Sequence, residues 1–174
     1  MPTLVGAEAD ERDALLQFLS AQRESLRRAV HGLTEEQAAS RPSASALSLS
    51  GLIKHAALVE RGWTDLMTGR AQEESRNWET EFSMVEGETL AHWLREYEAV
   101  ALYTEKAVAD LPDLEATVAL PEAPWFPPGS RRSARWILLH LVEEAARHAG
   151  HADIVRESID GATSYQLIAA TAQE

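Results

Sequence analysis

The sequence predicts an all-α protein: a four-helix bundle with a short extra C-terminal helix. Three observations predict it. Apolar residues recur at three- and four-residue steps through four long stretches, the period of a helix with one buried face. Capping and stop residues bound those stretches. Between them there is almost no strand signal, no internal repeat and no low-complexity tract. At 174 residues the chain is expected to form one domain spanning 1–174, large enough to bury a core.

Each element can be justified in turn. Asp10 or a neighbour caps the first helix, with Glu11 and Asp13 in its first turn. Leu15, Leu19, Leu26, Ala29, Val30 and Leu33 trace its stripe, and Gly32 fits its end. Thr34-Glu-Glu-Gln37 is a capping box that opens a short helical turn, and Pro42 blocks its continuation. Ser48 or Ser50 starts the second long helix, whose stripe is Leu52, His55, Ala56, Val59, Trp63 and Met67. Residues 69–86 exceed an ordinary helix–helix connection and are expected to cross the bundle or border a site, pinned by Trp78 and Phe82. Leu90, Leu94, Tyr97, Ala101 and Val108 form the third stripe, which ends before Pro112; His92 falls off it and is expected to be exposed. Four prolines and a glycine between Leu120 and Ser133 exclude a helix there, and Trp125 and Phe126 are candidates to cover a pocket mouth. Ser130 or Ser133 caps the fourth helix, read from Trp136 to Asp153. Gly161 opens a final segment, Ser164 to Ala172.

Composition narrows the function. A net charge of −12 argues against a nucleic-acid partner, because phosphate binding needs a basic surface. Arg131, Arg132 and Arg135 form the only dense basic cluster. They read as a solvated helix start or as a seat for a small anion. No apolar run reaches the length of a membrane span, and Met1 to Glu8 lacks the regions of a signal peptide, so a soluble cytoplasmic protein is expected. There is no cysteine, hence no disulfide, no thiolate ligand and no protein thiol nucleophile. Metal ligands must come from His, Asp and Glu.

The fourth helix carries the chemistry. Glu144 and His148 are four apart and border its apolar face. Charge on a core-facing seam is costly unless compensated, and a divalent metal compensates it. Such a pair is nonetheless more often solvated. His55 lies in an apolar row between Leu52 and Val59, where a lone histidine is more often a hydrogen-bonded core residue than a ligand. In a bundle, however, metal sites are built from facing helices, and His55 can then meet Glu144 and His148. His140 and His151 stand one turn either side of that pair. They read as partners that orient a ligand or as a polar flank of the helix. Glu60 reads as surface or packing.

The stretches Leu33-Thr-Glu-Glu-Gln37, Arg41-Pro42, Ser48 to Trp63 and His140 to Asp153 together resemble the DinB superfamily, in its actinobacterial mycothiol-dependent branch. The resemblance covers nearly the whole chain. It implies a four-helix bundle, often dimeric, with a divalent metal held by one residue of the second helix and two of the fourth. By motif position these are His55, Glu144 and His148. Glu144 departs from the three-histidine pattern common in the superfamily and matches the His, Glu, His pattern of mycothiol-dependent maleylpyruvate isomerase and its relatives. That isomerase carries an additional C-terminal domain for which these 174 residues leave no room, so the expectation is a short thiol-S-transferase-like relative.

The function expected is a zinc-dependent thiol S-transferase, with two histidines and a glutamate leaving a coordination position open for a small thiol. The resemblance implies mycothiol; the residues themselves permit it, and permit Ni²⁺, Fe²⁺ or Mn²⁺ as well as Zn²⁺. Two other readings stay open: a metal-dependent hydrolase using activated water, and a non-catalytic protein that binds a metal or a stress ligand.

Overall fold

The computed structural model describes residues 5–70, 80–124 and 126–172. Helix α1, Glu11–Ala29, begins where the Asp10 carboxylate accepts the Asp13 N–H at 3.0 Å. The short α2, Glu35–Ala39, opens with the reciprocal Thr34/Gln37 capping box. Helix α3, Leu49–Thr68, is capped by Ser48 on the Gly51 N–H, and α4, Leu90–Asp110, by Thr89 on the His92 N–H. Glu35 also reaches the Leu90 N–H at 2.7 Å, so α2 ties down the start of α4 with a carboxylate at its positive end. Ser133 caps α5, Ala134–Asp160, and Thr163 precedes α6, Ser164–Thr171.

Helix α5 runs seven residues beyond the stretch expected from the sequence. Its stripe continues through Val155, which is buried, and it stops only at Gly161, whose φ of 77° is a left-handed conformation that favours glycine. A two-stranded antiparallel ribbon, β1 (Thr117–Ala119) with β2 (Arg131–Ser133), leads directly into α5, Thr117 facing Ser133. Three-residue strands with exposed or half-buried side chains carry no alternation long enough to read in a sequence.

The four long helices α1, α3, α4 and α5 form the bundle. Helix α1 packs chiefly on α5, α3 on α4, and α3 also lies against α5. Helix α3 is buried around nearly its whole circumference in its first three turns. Its polar residues Lys54, His55 and Glu60 therefore lie inside, each needing a partner.

Two apolar clusters fill the bundle. One gathers Leu26, Leu49, Leu52, Ala149, Ala152 and Val155; the other gathers Leu19, Val59, Ile137, Leu138, Leu141 and Ala145. His55 stands between Leu52 of the first and Val59 of the second, and His148 between Ala149 and Ala145. The polar site is thus a seam between two dry regions. Among the described residues no helix is long and apolar enough to cross a membrane.

Candidate metal centre

Facing helices bring the three expected side chains together. His55 comes from α3; Glu144 and His148 come from α5, one turn apart. His148 Nε2 lies 3.4 Å from Glu144 Oε2, and His55 Nε2 lies 3.8 Å from the same oxygen. The His55 and His148 rings meet edge to face with centroids 4.6 Å apart. One ligand atom from each of the three falls within 4.8 Å of the others. At metal–ligand bonds of roughly 2.0–2.2 Å, two donors on one tetrahedral ion stand about 3.4 Å apart. The observed spacings need little contraction, and two imidazole nitrogens with a carboxylate oxygen are donors of the right chemistry. The group therefore fits a divalent ion.

The surroundings favour charge compensation at this point. His55 and His148 are buried, at 6% and 8% exposure, while Glu144 is half-buried. The His148 ring beside it, and His55 next, hold the Glu144 carboxyl well below the usual carboxylate range. It is an anion throughout the neutral range. Leu19, Val59, Tyr97, Leu141 and Ala145 close round the three tips, leaving a cavity of about 10 Å³, room for one small species.

The flanking histidines differ. His151 Nδ1 is 3.4 Å from His148 Nδ1, on the side of the ring away from Glu144. His140 Nε2 is 4.0 Å from Glu144 Oε1. Its ring is stacked on Trp136 and stands edge-on to Trp63. Arg132 lies over the other end of this row, 5.2 Å from the Trp136 ring. The basic cluster is otherwise engaged within the chain: Arg131 bonds Thr117, and Arg135 bridges Glu11 and Glu115.

Two more carboxylates lie beside the site. Of the two readings for Glu60, surface or packing, the structure shows packing. Glu60 is 3% exposed and forms an ion pair with Arg23, with Thr104 donating a hydrogen bond to the same carboxylate. Glu81 lies in the connection expected to cross the bundle or border a site; it is 1% exposed with Oε1 3.2 Å from His55 Nδ1. The one available signal was its neighbour Phe82, expected to pin the long connection. Phe82 does so by stacking on His55, centroids 3.9 Å apart. Trp78 and Trp125, expected to pin that connection and to cover a pocket mouth, lie outside the described residues.

The family model described as Mycothiol-S-transferase matches residues 14–161, which include every long helix and all three clustered side chains. A solved structure, titled as a conserved protein of a locus from Enterococcus faecalis, superposes with a TM-score of 0.70 over 90% of this chain and 100% of its own, at 13% identity. At that identity it supports the fold alone. No curated protein matches the sequence. The chain belongs to the mycothiol S-transferase family of the DinB superfamily.

Proposed function

We propose that the protein is a divalent-metal-dependent transferase of a low-molecular-weight thiol, with zinc as the metal and mycothiol as the thiol. The observation that carries this reading is the cluster of buried His55 and His148 with half-buried Glu144 in a chain without cysteine. The family match supports the thiol. When bound, a metal of this kind lowers the pKa of a thiol entering its open position, supplying a thiolate at neutral pH.

The chain's own residues have separable tasks. His55 and His148 offer imidazole nitrogens from facing helices, so the ion would be clamped between α3 and α5. Glu144, ionised through the neutral range, offsets one of its two charges. Phe82 and the apolar residues on both sides exclude water from the histidine rings, which strengthens every electrostatic contact there. The protein has no sulfhydryl to attack with, so the sulfur comes from the cosubstrate. A carbon–sulfur bond forms, the leaving group departs from the electrophile, and the thiol proton passes to solvent.

The test uses metal-loaded protein, mycothiol and a bimane halide. Conjugate should form faster with protein than without, and the acceleration should vanish in His148→Ala. A metal-loaded protein that cleaves simple esters or amides while leaving thiols unconjugated overturns the transferase reading in favour of metal-activated water.

A further inference from the structure

The rings of His55 and His148 both turn Nε2 toward Glu144, and each turns Nδ1 toward a second group. For His148 that group is His151 on the same helix. For His55 it is Glu81, a carboxylate from a different part of the chain and more deeply buried than either histidine.

The backbone shows how Glu81 is held there. Residues 80–83 form a turn closed by the Ser83 N–H on the Thr80 carbonyl. Lys54 of α3 donates to the Ser83 carbonyl at 3.0 Å and to Glu88 at 2.7 Å, and Arg41 donates to the Ser83 hydroxyl. Gly51 admits this strap against α3: a Cβ at position 51 would lie 2.1 Å from the Phe82 carbonyl oxygen. Glu81 and Phe82 then meet one ring from two directions, the carboxylate at Nδ1 and the phenyl group across its face. Fully burying a carboxylate is costly, and here the cost falls beside a ligand-type imidazole.

We infer that Glu81 is a positioning residue, fixing the orientation of His55 through Nδ1 so that Nε2 faces the Glu144 and His148 tips. The inference rests on the metal reading above. A carboxylate behind an imidazole fixes the ring tautomer and raises the basicity of the other nitrogen, and loss of such a partner typically weakens metal binding about 10–100-fold.

Zn²⁺ affinity, measured by chelator competition, tests it on the full chain. Glu81→Leu suits a buried site and removes the carboxylate; Glu81→Gln keeps its shape without the charge. Zn²⁺ binding should weaken about 10–100-fold in Glu81→Leu and less in Glu81→Gln. Long-range proton–nitrogen spectra of the metal-free protein should show His55 as the Nδ1–H tautomer in the wild type and not in Glu81→Leu. Gly51→Ala, which displaces the strap without touching a ligand, should weaken Zn²⁺ in the same direction. The melting temperature of metal-free Glu81→Leu reports folding separately. Wild-type Zn²⁺ affinity in folded Glu81→Leu overturns the inference while leaving the metal reading intact. Undiminished Zn²⁺ binding in His148→Ala overturns the metal reading and this inference with it.

Discussion

Arg23 and Glu60 meet across the α1–α3 interface in a two-pronged ion pair, Nε to Oε2 at 3.0 Å and a terminal nitrogen to Oε1 at 2.6 Å, both side chains about 95% buried. Thr104 from α4 donates to the same carboxylate at 2.6 Å and contacts Thr64 at 2.9 Å. Three helices are thereby joined by one polar knot one turn from the candidate metal centre. Removing Glu60 leaves the buried Arg23 with only the half-exposed Glu105 carboxylate, 3.2 Å away. Glu60→Ala should lose about 3–5 kcal/mol in urea unfolding. The double variant Arg23→Met, Glu60→Leu should recover most of it, because the desolvation cost disappears with both charges.

Two helical glycines should respond to alanine with opposite sign. At Gly150, exposed in the middle of α5, an added Cβ meets nothing within 4 Å, so Gly150→Ala should stabilise by roughly 0.5–1 kcal/mol. At Gly51 the same methyl would stand 2.1 Å from the Phe82 carbonyl oxygen, and backbone must move. The strain of overpacking, about 1–3 kcal/mol, outweighs the gain in helix propensity. Thermal melts of the two metal-free variants should shift in opposite directions.

Acid should loosen the strap that carries Glu81. Burial raises the pKa of Glu88, but hydrogen bonds from Lys54 and the Val85 N–H outweigh it, and the net shift is downward. A carboxyl whose folded pKa lies below its unfolded value, near 4.3, contributes stability that is complete above that value. The contribution is lost as pH falls through the folded pKa. The melting-temperature difference between wild type and Glu88→Gln should therefore be constant above about pH 5.5 and shrink below about pH 4.3. Glu144, also depressed, titrates with the same sign in both proteins and cancels from the difference.

Metal removal should cost stability without dissolving the fold. An ion that binds only the folded state adds about 2.7 kcal/mol when present at a hundred times its dissociation constant. Chelation should thus lower the melting temperature, and His55→Ala should be insensitive to chelator. Helical circular dichroism should persist at room temperature, because the two apolar clusters either side of the site do not include its ligands.

The sequence by itself determined the helices, because periodicity and caps are local properties. Asp10, Thr34, Ser48 and Ser133 make the capping bonds their positions imply, and the stripes through Leu52 and Leu141 are buried. It also singled out His55, Glu144 and His148, since polar groups on an apolar row need a compensating partner. Which partner each buried charge meets was decided only in three dimensions. Surface and packing are both open for Glu60 in the sequence, and packing holds because Arg23 of α1 and Thr104 of α4 meet its carboxylate inside the bundle. Glu81 sits in an aperiodic connection, where no spacing records which way a side chain points. Its place beside His55 depends on the packing of a turn against Gly51, where Phe82 meets a residue far back along the chain. Local patterns encode faces; only the meeting of faces encodes the environment of a charge.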